Sequence, residues 1–279
     1  MAANPFGVER MATLTIRGVQ VNVEIWNEQK QETLVLLHGF TGSTKTWQRV
    51  IELLPDTVKI VTIDLLGHGK TESPKDPSRY SMIEQVKDLE EIFQQLDLHD
   101  FTLLGYSMGG RVALSYAVRF PKRIKRLILE SSSPGLQTEE EQALRRQSDE
   151  RLADEIEEKG IHWFVEKWEN IPLFASQKRL PEEVQQAVRE ERLSQTETGL
   201  ANSLRGMGTG AQASLWRKLI RLNMPVLLIT GELDQKFIHI AEQMMLQLPN
   251  AQHITVQNVG HSIHVENPEQ FATIVKGVL

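Results

Sequence analysis

The sequence predicts an α/β protein: a mostly parallel central sheet flanked by helices, with an inserted α-helical cap. Three observations predict it. Short, continuous apolar runs recur along the chain with helical periodicities between them. One long middle stretch carries helix signals only. The strand pattern then resumes before the C-terminus.

The elements follow in order. Leu14 to Ile16 and Val19 to Ile25 alternate apolar and polar residues, as a hairpin does. Thr33 to Leu37, Lys59 to Ile63, Phe101 to Leu104 and Arg126 to Leu129 are apolar runs suited to strands buried on both faces. Ile83, Val86, Leu89, Ile92, Phe93 and Leu96 recur at helical spacing, with Ser81 as N-cap and Glu84 three residues on. Met108 to Phe120 is a second helix. Thr138 with Glu139, Glu140 and Glu141 opens another, and so does Pro181 with Glu182 and Glu183. Pro225 to Thr230 and His253 to Val256 restore the strands, and Pro268 to Leu279 closes the chain as a helix. The predicted division is a core over 1–133, a helical cap over 134–222 and a second core segment over 223–279.

Composition narrows the function. A net charge of −6 argues against a broad nucleic-acid surface. The absence of cysteine removes disulfides, thiolate metal sites and a cysteine nucleophile. It fits a reducing compartment, and the expected location is cytoplasmic. No apolar run approaches the roughly 20 residues that span a bilayer. Met1 to Arg10 is polar and does not read as a signal peptide. Met11 is a candidate native start.

The strand from Phe101 runs into Gly105-Tyr106-Ser107-Met108-Gly109-Gly110 and then a helix. G-x-S-x-G in that setting is the nucleophile elbow of the α/β-hydrolase fold. The sharp turn strains the serine and lifts its Oγ above the sheet edge, while small flanking residues let strand and helix approach. His38-Gly39-Phe40 follows an earlier strand. The backbone N–H groups of Phe40 and Met108 are the expected oxyanion donors, and His38 reads as structural. The acid and the histidine should follow the serine in that chain order. Asp234 lies just past the strand ending at Thr230, with Glu232 as competitor. His261 follows the last strand, with His264 as rival. The other histidines (His68, His99, His162, His239, His253) read as surface or turn residues. An imidazole can take the serine's proton, and a carboxylate fixes the imidazole's tautomer.

The whole set resembles a particular family. It comprises His38 to Ser43, Trp47, Asp64 to Thr71, Leu104 to Arg111, Glu130 to Leu136, Trp168 to Phe174 and Leu204 to Gln212. Together these are similar to the MenH family, the 2-succinyl-6-hydroxy-2,4-cyclohexadiene-1-carboxylate (SHCHC) synthases of menaquinone biosynthesis. The resemblance covers nearly all of the chain after Met11. It implies a lyase that eliminates pyruvate from 2-succinyl-5-enolpyruvyl-6-hydroxy-3-cyclohexene-1-carboxylate (SEPHCHC), with no metal or organic cofactor. It implies that Ser107, assisted by His261 and Asp234, removes the proton beside the succinyl ketone. A polycarboxylate substrate suits arginine, whose planar fork binds carboxylates in pairs of hydrogen bonds. Arg111, Arg145 and Arg192 are the expected carboxylate binders, although Arg146 and Arg189 lie close by. Tyr106 and Trp168 are expected to line the pocket. Gly206 to Gly210 reads either as a hinge or as a substrate-contact turn.

Two other readings use the same residues. A hydrolase, acting on an ester or on a carbon–carbon bond, would need the same triad and would consume water. A non-catalytic receptor of this fold would keep the pocket without the reaction.

Overall fold

The computed structural model describes residues 10–279. Met1 to Val8 and Glu9, where the absence of a signal peptide was expected, lie outside the described residues. Met11 sits inside the first strand.

Eight strands form one sheet: β1 (Arg10–Ile16), β2 (Val19–Trp26), β3 (Thr33–Leu37), β4 (Lys59–Ile63), β5 (Phe101–Tyr106), β6 (Ile124–Glu130), β7 (Val226–Gly231) and β8 (Ala251–Val256). Their order is β1-β2-β4-β3-β5-β6-β7-β8. The first hairpin turns through Arg17 and Gly18, both at positive φ, as a tight hairpin turn requires. β2 pairs antiparallel with β4, and every later pairing is parallel. All residues of β3, β5 and β7 are buried, which is why they read as unbroken apolar runs.

The helices are α1 (Gln48–Leu53), α2 (Met82–Gln95), α3 (Met108–Arg119), α4 (Glu139–Glu169), α5 (Glu182–Leu193), α6 (Glu197–Met207), α7 (Gln235–Met245), α8 (Ile263–Glu266) and α9 (Pro268–Lys276). α2, α3 and α7 bury their apolar sides in the core on one face of the sheet. α1, α8 and α9 cover the other face. α4, α5 and α6 all lie between β6 and β7, where no strand intervenes. They carry a small core of their own that includes Phe164, Val165 and Leu200. Full burial of each such side chain contributes roughly 1.5–3 kcal/mol. Phe40 packs against both this core and the main one, so it joins the two.

Local details refine the sequence reading. β5 continues through Gly105, which pairs with Leu37 and Leu129 despite glycine's poor strand propensity. Ser81 caps α2 through the Glu84 amide, but the Glu84 side chain pairs with Arg17 and Lys87 instead of folding back. Thr138 and Glu141 form the complete reciprocal capping box. α4 breaks at Gly160, whose φ of 81° and ψ of 172° suit glycine alone. Gly206 is inside α6, where an added Cβ would meet the Tyr80 backbone at 2.5 Å, so the Gly206–Gly210 segment starts as packed helix. His68, expected at the surface or in a turn, is buried against His38 and Phe40.

Candidate active site

The elbow places Ser107 at φ 49° and ψ −106°, a conformation that costs about 1–3 kcal/mol in a non-glycine residue. Neighbours hold it there. Its N–H donates to the Glu130 carbonyl at 2.9 Å, and its carbonyl accepts from Arg111 N and from Ser132 Oγ. Two glycines allow the approach. A Cβ on Gly105 would lie 2.3 Å from the Gly109 oxygen, and one on Gly109 would lie 2.3 Å from the Leu37 oxygen.

Ser107 Oγ is 3.0 Å from His261 Nε2, and His261 Nδ1 is 2.6 Å from Asp234 Oδ2. Asp234 caps α7, where its Oδ1 accepts from Phe237 N. Its carboxylate is thus fixed at both oxygens, and the short contact on Nδ1 leaves Nε2 to face the serine. The competitors have other partners. Glu232 accepts from Asn258 N. His264 is wholly buried against Glu130.

Met108 is the first residue of α3, so its N–H has no partner inside the helix. Phe40 lies in the turn three residues beyond β3, with its ring edge-on to His68, Phe164 and Trp168. Beneath it, burial pushes His38 down to about 4 and His68 down to about 3, so both rings are neutral. His38 Nε2 accepts from Leu65 N, which fixes a structural role for that ring.

These residues open into a cavity of about 510 Å³ lined by both core and helical segment. Arg111 and Arg145 line it, as do Tyr106 and Trp168. Arg111 is buried. Its Nη1 donates to Met207 O at 2.7 Å and to Gln212 Oε1 at 2.9 Å. Burial, with Arg145 nearby, lowers its pKa to about 10, so it stays cationic near neutrality. Arg145 is half-buried and pairs with Asp149 at 2.7 Å. The Tyr106 hydroxyl meets Ser262 Oγ, and burial raises its pKa.

Arg192, an expected carboxylate binder, is placed apart from the other two arginines. It lies behind Phe174, whose ring it covers at 4.7 Å, and it lines a neighbouring cleft instead of the serine's cavity. Its Nη2 donates to Gln177. Packing against Phe174 and Gln177 accompanies its burial, and sequence spacing carries no signal of that.

Lys236 lines the cavity and went unnamed in the sequence reading. It stands two residues after Asp234 in the first turn of α7, so an acid at the mouth of the site brings a cation with it. Phe237, also unnamed, and Phe174, named only as part of the Trp168–Phe174 segment, pack their rings against His261.

A strained serine, an imidazole and a buried carboxylate in line, at the carboxyl ends of parallel strands, define a class of protein. The chain belongs to the alpha/beta hydrolase fold family, whose model matches residues 32–268. Within that fold it belongs with the SHCHC synthases. It is 47% identical over 94% of its length to a Bacillus subtilis (strain 168) protein provisionally named 2-succinyl-6-hydroxy-2,4-cyclohexadiene-1-carboxylate synthase, 95% of which is covered. It is 33% identical to the Citrobacter koseri protein of that name, over 84% of this chain and 88% of the relative. A solved structure, MenH from S. aureus, superposes with a TM-score of 0.88 at 39% identity, covering 92% of this chain and 96% of the other.

Proposed function

We propose that this chain is a carbon–oxygen lyase that eliminates pyruvate from SEPHCHC to form SHCHC, in menaquinone biosynthesis. The observation that carries the reading is one cavity in which Ser107 and His261 meet Arg111, Arg145 and Lys236. A base and several cations together suit a substrate with several carboxylates and an acidic C–H.

The chemistry follows from the distances. His261 takes the Ser107 proton, and Asp234 stabilises the resulting imidazolium. Ser107 removes the proton beside the succinyl ketone. The backbone N–H groups of Phe40 and Met108 hold the enolate oxygen. The electron pair moves into the ring as the C–O bond to enolpyruvate breaks. Proton return from His261 then lets the leaving group become pyruvate. Arg111 and Arg145 hold carboxylates, with Tyr106 and Trp168 forming walls around the ring. In this reading residues 134–222 act as a cap that supplies recognition, and residues 1–133 with 223–279 supply the chemistry. The substrate is small and diffusible, which suits a cytoplasmic enzyme. Among the described residues no helix is long and apolar enough to cross a membrane.

The Ser107–His261 distance of 3.0 Å also suits attack on an ester, so hydrolysis is the second reading. The test is release of pyruvate from freshly generated SEPHCHC, followed by coupled lactate dehydrogenase. Saturable release above background without incorporation of labelled water supports the lyase. No acceleration, with turnover of esters or diketone acids instead, supports the hydrolase.

A further inference from the structure

We propose that Glu130 and His264 form a positioning pair that sets the alignment of Ser107 and His261. The inference rests on the assignment of those two residues as the reacting pair.

The two side chains are fully buried. Burying a carboxylate and an imidazole is costly unless both are paired and hydrogen-bonded, and an apolar pair would fill the same space at lower cost. Here each polar side-chain atom of the pair has a partner. Glu130 Oε1 accepts from His264 N at 3.0 Å, and both carboxylate oxygens lie 2.9 Å from His264 Nδ1. His264 Nε2 meets Thr46 Oγ1 at 2.9 Å. Trp47 and Tyr106 pack on the ring with centroids at 4.5 and 4.6 Å. The imidazole therefore cannot turn.

The pair's location connects it to catalysis. Glu130 is the last residue of β6, and its carbonyl accepts the N–H of strained Ser107. His264 is in the first turn of α8, three residues after His261. One residue thus grips the elbow with its backbone and the histidine's segment with its side chain. Two further contacts act in parallel. Tyr106, adjacent to Ser107, bonds Ser262, adjacent to His261. Glu266 accepts from the amides of Gly260 and Ser262 on either side of His261. The serine and the histidine belong to segments 154 residues apart, and this cluster is what ties them together near their reacting atoms.

Neither side chain lines the serine's cavity, so the proposed effect falls on turnover more than on binding. The test compares the intact protein with Glu130→Gln and His264→Gln. Readouts are kcat per folded molecule, KM, and the low-field proton resonance of the short His261–Asp234 hydrogen bond. The expected result is a kcat loss of about tenfold or more with KM changed less than about twofold, since misplacement of reacting groups is felt in turnover. The resonance should shift in both variants. The double variant should be no worse than the worse single one, because the pair acts as a unit. Thr46→Ala loosens His264 from the far side and should give the same signature, smaller. Wild-type kcat per folded molecule with an unmoved resonance in Glu130→Gln overturns the proposal. If neither pair variant folds, the same two readouts on Thr46→Ala decide it. Should the wild type release no pyruvate, the functional reading fails, while the resonance still tests the pair.

Discussion

The catalytic edge of the sheet and the helical segment above it are built on opposite principles. At the edge, Ser107, His261 and Asp234 each hang from a different strand end, and their oxygens and nitrogens meet specific partners at 2.6 to 3.3 Å. The helical segment instead contributes walls and charge, with Arg145, Trp168 and Phe174 lining the cavity. Its longest helix is broken at Gly160. The lesson is a division of labour. Strand ends hold Ser107, His261 and Asp234 through specific hydrogen bonds, whereas the helices present cationic and aromatic side chains to the cavity. Arg111 belongs to both regions: it is rooted on α3 and bonded to the Met207 carbonyl at the end of α6.

The sharpest way to break the comparison is Ser107→Ala. The edge should lose turnover by at least ~10³-fold, while substrate affinity changes little, because the hydroxyl acts in the transition state. Pyruvate release measured beside equilibrium binding separates the two. Near wild-type turnover would remove Ser107 as the base. Next in size is Arg111→Ala. A charged hydrogen bond to a carboxylate contributes about 1.5–3 kcal/mol, so KM should rise about 10- to 100-fold. A smaller loss of kcat would mark the arginine as a residue of recognition. A kcat loss with unchanged KM would place it with the chemistry instead.

The third prediction concerns the seam between the regions. Phe40 rests on His68, and His68 on His38, and both imidazoles are neutral in the fold. Unfolding returns each to its ordinary value of 6.5, whereas the folded values are about 4 and about 3. Between these limits the unfolded chain binds more protons. The stability held by the two neutral rings is therefore complete above about pH 6.5 and is lost as pH falls below it. His68→Phe removes one titrating ring and leaves no ligand for the proton. Its unfolding free energy should fall less steeply below pH 6.5, by about 1.4 kcal/mol per pH unit. Equal slopes in variant and wild type would mean that His68 is already charged in the fold.

The same division explains what the sequence made legible. Strand ends are set by short apolar runs and turn chemistry, which are local signals. Ser107, Asp234 and His261 are therefore the candidates that motif, strand-end position and chain order pick out together. Glu232 and His264 lost to them for reasons that are spatial: Glu232 turns to the Asn258 amide and His264 to Glu130. The helical segment was legible as helix, since Thr138, Pro181 and their acidic followers are local signals too. Which of its arginines meets the cavity was not. Arg145 and Arg192 both end up on helices that carry several cations, and only packing turns one inward and puts the other behind Phe174. His68 misled for a related reason. Gly67 and Gly69 on either side do mark a turn, but the turn is folded under the site and not exposed.

The smallest effect tests whether recognition depends on the local stability of the helical segment. Thr138 Oγ1 accepts from Glu141 N at 3.1 Å, and Glu141 Oε2 accepts from Thr138 N at 3.0 Å. Together they satisfy two amides that the first turn of α4 would otherwise leave to solvent. Arg145 stands one turn further along that helix and faces the cavity. Thr138→Ala should cost about 1 kcal/mol, the usual value for loss of an N-cap. Fraying of that turn should loosen Arg145 and raise KM a few-fold, with kcat unchanged because the capping hydrogen bonds stay within the helical segment. Kinetics alongside a thermal melt provide the check. A drop in kcat at constant KM would mean that the helical segment and the catalytic edge are mechanically coupled, and the division between them would have to be redrawn at α4.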